Sequence, residues 1–201
     1  MDNIIGTTSL PPSFSRHKRG FTLVELMVAI AVVAIISAIA LPSMSHFLVK
    51  MRVNNEISEL QRLLLTARNM AINTGKNTTV CPLSGTSCTN NWQNEISVFT
   101  NDSNSVDNDK YDSTTEELIK IKEAIKSGDK LQFAHTSIIY TPSGQLLTPT
   151  VASIYKYCPK GEADSARGID ISISGRSHTS SDTDNDGKDE DRSGNEIVCS
   201  S

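Results

Sequence analysis

The sequence predicts an α+β protein in which one long N-terminal helix packs on a largely antiparallel β-sheet head. Three observations lead there. A polar opening of twenty residues is followed by an almost unbroken apolar run, Phe21 to Leu41. Next, from Ser43 to Thr74, apolar residues recur every three or four positions, which is the period of a helix with one buried face. After Gly75 the chain breaks into short β-type segments divided by turn residues, the pattern of an antiparallel sheet rather than of alternating β-α units.

The elements follow in order. Residues 1–20 are polar and end in the basic cluster Arg16-His17-Lys18-Arg19-Gly20. Within Phe21–Leu41 only Thr22, Glu25 and Ser37 are not apolar. A helix of that length spans roughly 31 Å, the thickness of a bilayer core. The basic cluster before it belongs on the cytoplasmic side, so the rest of the chain faces the periplasm. Ala38-Ile39-Ala40 has the small residues of a secretory cleavage site, but the run before it is longer than a signal peptide needs. Pro42 follows directly and marks either the end of this helix or a bend in it.

The amphipathic helix carries Phe47, Leu48, Met51, Ile57, Leu60, Leu64, Ala67 and Ala71 on its stripe, widened by Leu63 and Met70. Glu56, Glu59, Arg62 and Arg68 fall largely off it, and Gly75 is placed to cap the C-terminus. Met51 and Met70 read as core or filament contacts rather than metal ligands. Strands are expected near 78–81, 96–100, 118–122, 131–133, 137–140, 153–157 and 168–174. In the last, Ile169, Ile171 and Ile173 alternate with polar residues, the mark of a half-buried strand. Residues 179–201 form an acidic tail. The organisation is therefore a leader (1–20), a membrane or filament-core helix (21–42) and a periplasmic head (43–201).

The net charge is −4. Residues 1–20 carry Asp2 against Arg16, Lys18 and Arg19, so their removal takes it to −6. Such a balance excludes a general polyanion binder, whose affinity rests on neutralising phosphates. The cysteines are Cys81, Cys88, Cys158 and Cys199. An even count beside an export signal points to two disulfides. Of the three possible connectivities we favour Cys81–Cys88, a short local loop, and Cys158–Cys199, which ties the tail to the body. No activated nucleophile, phosphate loop or histidine cluster stands out, so an enzyme is not expected. His17, His46, His135 and His178 are scattered.

Glu25 is the informative exception in the apolar run, because a carboxylate inside such a helix is costly and calls for a partner. Gly20-Phe21-Thr22-Leu23-Val24-Glu25-Leu26 resembles the type IV prepilin motif. The resemblance implies that a membrane-embedded aspartyl peptidase cuts between Gly20 and Phe21 and methylates the new amine of Phe21. It implies that Glu25, then the fifth residue, pairs with the N-terminal amine of a neighbouring subunit during assembly. Further on, Ala67-Arg68-Asn69-Met70-Ala71-Ile72, Val80-Cys81, Trp92, Val98-Phe99, the Ile138-to-Gly144 turn, Cys158 and the Ile169-to-Arg176 segment are similar to the FimT and FimU minor pilins and the GspH pseudopilin. A glycine usual shortly after the tryptophan is replaced by Asn94-Glu95. The family implies a subunit anchored by one span in the inner membrane, then moved into a filament with other pilins or pseudopilins. The expected role is to help initiate or cap a type IV pilus; the alternatives are a minor pseudopilin of type II secretion and a DNA-binding minor pilin of natural transformation.

Two segments near the C-terminus carry candidate ligand chemistry. Gly175-Arg176 matches the start of a basic motif with which some family members bind DNA, but His178 stands where a second arginine is expected. The following 23 residues carry seven acids against Lys188 and Arg192, a charge that repels DNA. Arg176 is therefore read as a polar strand end, and nucleic acid is not an expected partner. Asp182-Thr183-Asp184-Asn185-Asp186-Gly187 matches the first half of a calcium loop, where alternating carboxylates converge and the glycine permits a sharp turn. Ser193 stands at the twelfth position, where a bidentate Glu belongs, and Glu190 falls at the ninth. A weak calcium site on Asp182, Asp184, Asp186 and Glu190 competes with a solvated acidic loop; no other cofactor is expected.

Overall fold

A computed structural model describes residues 20–102 and 108–200, with the side chains of 39–43 left aside. The expected leader, residues 1–19, lies outside the described residues. The chain divides into two units, Met1–Ser43 and Met44–Ser201. One helix, α1 (Leu23–Thr74), runs through the boundary and through Pro42, so Pro42 does not end it.

In the first unit the helix starts where Thr22 allows it to. The Thr22 Oγ1 accepts the backbone N–H of Glu25 at 3.2 Å, one half of a T-x-x-E capping box. Ser37 returns its hydroxyl proton to the Val33 carbonyl at 2.8 Å, which lowers the cost of a hydroxyl in apolar surroundings. Among the described residues no helix is long and apolar enough to cross a membrane. The last side chains of the expected span, Phe21–Leu41, fall in the segment left aside.

In the second unit α1 buries Val53, Ile57, Leu60, Leu63, Leu64, Ala67 and Ala71. It stops at Gly75, whose N–H is donated to the Ala71 carbonyl at 3.1 Å. The expected stripe is too long at its start: Phe47, Leu48 and Met51 are exposed, whereas α1 meets the core through the half-buried Val49 and is fully buried only from Val53 on.

The strands form two antiparallel sheets rather than one. The first runs β4 (Glu117–Lys122), β3 (Ile96–Thr100), β1 (Thr78–Ser84), β6 (Ile138–Tyr140) and β7 (Leu146–Thr148), with the short β2 (Ser87–Cys88) paired to β1. The second runs β10 (Ser177–Thr179), β9 (Arg167–Ile171), β8 (Ser153–Cys158) and β5 (Lys130–Gln132). Val80, Val98, Ile138 and Tyr140 from the first sheet and Tyr155, Tyr157, Ile169 and Ile171 from the second share one core with α1. Trp92 joins them: its ring meets Phe133 and Tyr155 edge-on at 5.2 and 4.9 Å, and its Nε1–H is donated to the His135 carbonyl at 2.8 Å. The missing glycine after Trp92 is no obstacle, since Asn91 to Asn94 close the turn with a backbone hydrogen bond of 3.1 Å.

The expected strand 168–174 stops at Ile171. Ser172 to Gly175 turn the chain back, with the Gly175 N–H on the Ser172 carbonyl at 2.8 Å, and Ile173 is 51% exposed. Gly175 has φ +74, and a Cβ there would lie 2.0 Å from the Gly144 carbonyl oxygen. Arg68 closes this junction of the two sheets, donating Nε–H to the Gly144 carbonyl at 2.9 Å and Nη2–H to the Ser174 carbonyl at 3.4 Å.

Polar residues of α1 that sequence spacing assigns to solvent also reach the head. Glu56 accepts from the buried Lys122 at 2.6 Å, with Glu59 at 3.7 Å. Arg52 meets the buried Asp129 at 2.9 Å. Burial alone would raise the Asp129 carboxyl, but the Lys160 N–H, the Tyr157 hydroxyl and the Arg52 guanidinium together hold it below its usual value. Burial and the Asp129 charge push the Tyr157 hydroxyl up.

Candidate functional site

Two regions concentrate chemistry: the start of α1 and the acidic loop of the tail. At the start, Gly20 and Phe21 are exposed, Phe21 by 81%, and among the described residues no atom beyond the chain neighbours lies within 4 Å of a Cβ built on Gly20. Glu25 sits in the first turn of α1, where the helix dipole favours an anion. Around it Leu23, Val24, Leu26, Met27, Val28, Ile30, Val32, Val33, Ile35 and Ile36 are exposed. Burying ten such side chains is worth roughly 20 kcal/mol, more than the net stability of a typical domain, about 5–15 kcal/mol. This segment is built for an apolar environment. In the second unit Met44, Phe47, Leu48 and Met51 of α1 are exposed as well.

The tail is folded down rather than loose. Cys158–Cys199 and Cys81–Cys88 are disulfides. Arg167 donates Nε–H to Asp189 at 2.7 Å, Nη1–H to Asn54 at 2.8 Å and Nη2–H to the Ser180 carbonyl at 2.6 Å. Glu190 pairs with Ser181 and Glu196 as an isolated bridge on each side, and Ile197 is buried. Within this frame Asp182, Asp184, Asp186 and Glu190 each bring a carboxylate oxygen within 4.8 Å of the others. Asp182 takes the N–H groups of Asn185 and Gly187 at 2.7 and 3.0 Å, and Asp184 takes that of Asp186 at 3.1 Å. Gly187, at φ +94, makes the turn. The structure thus brings together all four residues of the expected calcium set.

Arg176 is exposed just beyond the Gly175 turn, and His178 is exposed on β10. Asp170 and Arg192 share a small pocket of about 140 Å³ with Arg176. Sequence reasoning reads Gly175-Arg176 as a polar strand end rather than a DNA-binding motif; in the fold Gly175 makes the close approach to Gly144.

Residues 15–41 match the prokaryotic N-terminal methylation motif, and residues 56–175 match the family described as type II transport protein GspH. The chain belongs to the GspH family. As such it is a type IV pilin-like protein of the minor pilin and pseudopilin group. The GspH match ends at Gly175, so the acidic loop lies outside both matched regions. Two fimbrial proteins of Pseudomonas aeruginosa are each 39% identical over 61 residues, 30% of this chain. That stretch spans only 39% of the length of these curated relatives. Among solved structures, the type IV minor pilin FimU of Pseudomonas aeruginosa is similar with TM-score 0.48 and 18% identity, covering 63% of this chain and 86% of that one. The minor pseudopilin EpsH of the Vibrio cholerae type 2 secretion system is similar with TM-score 0.45 and 13% identity, covering 64% and 95%.

Thr22 as a helix cap, and the Glu56–Lys122 and Arg52–Asp129 pairs, are missed by the sequence reading. The cap has a sequence signal, since Thr22 and Glu25 stand three apart; the pairs join residues 66 and 77 positions apart and have none.

Proposed function

We propose that this GspH-family chain is a prepilin, cut between Gly20 and Phe21 and N-methylated on Phe21 by a prepilin peptidase. It then assembles as a minor subunit that helps initiate or cap a type IV pilus. The observation that carries this is the exposed apolar surface of α1, with one carboxylate, Glu25, in its first turn. Such a helix needs apolar neighbours on all sides. A bilayer supplies them before assembly, and a bundle of the same helices from other pilins supplies them afterwards. Glu25 gives the bundle its register by pairing with a neighbour's amine. The residues invoked bind and align; none of them performs chemistry.

A second reading has a specific observation in its favour. The matched family is described as a type II transport protein, and a pseudopilus uses the same assembly principle. A clean deletion separates the two. Loss of surface pili and twitching with type II secretion intact supports the pilus. Loss of secretion with pili intact overturns it and moves the subunit to the pseudopilus.

A further inference from the structure

The four carboxylates of the acidic loop are not alike. Asp182, Asp184 and Asp186 are exposed, but Glu190 is only 5% exposed. Its Oε2 accepts both the N–H and the Oγ1–H of Thr183 at 2.6 Å. Its Oε1 is buried with no hydrogen-bond partner among the described residues. A carboxylate oxygen withdrawn from water and left unpaired costs a few kcal/mol. The charge around it is adverse as well, because three more carboxylates converge on the same point. The nearby cations are held mainly by other acids: Lys188 Nζ lies 3.0 Å from Glu196 and reaches Asp186 of the loop at 4.0 Å, and Arg167 is held by Asp189.

We propose that Asp182, Asp184, Asp186 and Glu190 bind one calcium ion. A hard dication is the species that satisfies Glu190 Oε1 and offsets the mutual repulsion of the four groups. All four donors are carboxylate oxygens of one short, irregular loop, which suits the irregular shell of calcium better than the strict octahedron of magnesium. Glu190, held in place by Thr183, supplies the carboxylate that Ser193 cannot supply at the twelfth position. The backbone of Glu190 bridges Ser181 in both directions, at 3.0 and 3.3 Å, and the Ile197 N–H bonds the Asp189 carbonyl at 2.8 Å. The ion therefore fastens the tail against the second sheet, alongside the Cys158–Cys199 bridge.

The test uses the full chain in detergent, stripped with EGTA and titrated with CaCl2 by calorimetry, with thermal melts in parallel. Binding of one ion per chain is expected with half-saturation at about 0.1–1 mM, the range of extracellular calcium modules, together with a rise in Tm. Glu190→Gln and Asp184→Asn should each weaken binding at least tenfold. Asp184 is exposed, so its variant keeps the fold and the test stands even if Glu190→Gln does not fold. Absence of saturable heat and of any Tm shift at about ten times that concentration would overturn the site. So would unchanged calcium affinity in Asp184→Asn, or tighter binding of MgCl2 than of CaCl2.

Discussion

Glu25→Ala is expected to leave the chain in the membrane at its normal level and to remove it from filaments. The carboxylate sits among exposed apolar side chains of α1, and in an assembled bundle it must be matched by a positive charge. A neighbour's N-methylated amine is the cation our account supplies. Removing one partner of a buried ion pair costs about 3–5 kcal/mol, because the other charge is left uncompensated. At 1.4 kcal/mol per tenfold, incorporation should fall by about two to three orders of magnitude. The substitution keeps the helix start, since Thr22 caps the backbone N–H of residue 25 and not its side chain. Loss of a charge also makes insertion into a bilayer easier. Immunoblots of sheared filaments against membranes measure both quantities. Normal levels of Glu25→Ala in the filaments would remove the carboxylate from the assembly mechanism.

Gly175→Ala should be among the most damaging single-methyl changes in the head. The backbone there has φ +74, and the new Cβ would stand 2.0 Å from the Gly144 carbonyl oxygen and 3.2 Å from Arg68 Nε. A left-handed conformation for a residue other than glycine costs about 1–3 kcal/mol. The contact is with backbone, so relief requires the two turns to part and the Arg68 hydrogen bonds to loosen, an overpacking cost of about 1–3 kcal/mol more. A loss of about 4 kcal/mol corresponds to a Tm lower by about 8–16 °C for a chain of this size. Gly161→Ala is the control: Gly161 has φ +78, with nothing within 4 Å of its Cβ, so it reports the backbone strain alone. Thermal melts of the two variants side by side separate strain from clash. Equal Tm values would mean that the junction of the two sheets yields without cost.

The helix of the head was legible because Ile57, Leu60, Leu64, Ala67 and Ala71 repeat at its period, and all five are buried. Phe47, Leu48 and Met51 share that period yet stay exposed. Periodicity tells which face is apolar and not what covers it. Strands with a run of apolar or β-branched residues, such as β1, β3 and β8, were readable in place. β2, β7 and β10 have two or three residues each, and pairing alone defines them. The tail was the hardest part. Its polar composition reads as solvated loop, whereas its fold rests on Cys158–Cys199, the Arg167 contacts and one buried isoleucine. The four candidate calcium ligands were visible as a spacing, but the burial of Glu190 that sets it apart from the other three was not.

In the proposed function the chain is processed as a prepilin, and Phe21 is its mature N-terminus. The mass of the N-terminal peptide of the protein purified from membranes tests this most directly. The expected result is a mature chain starting at Phe21 with one methyl group on its amine. A peptide that retains residues 1–20, or one cut within Ala38-Ile39-Ala40, would contradict it.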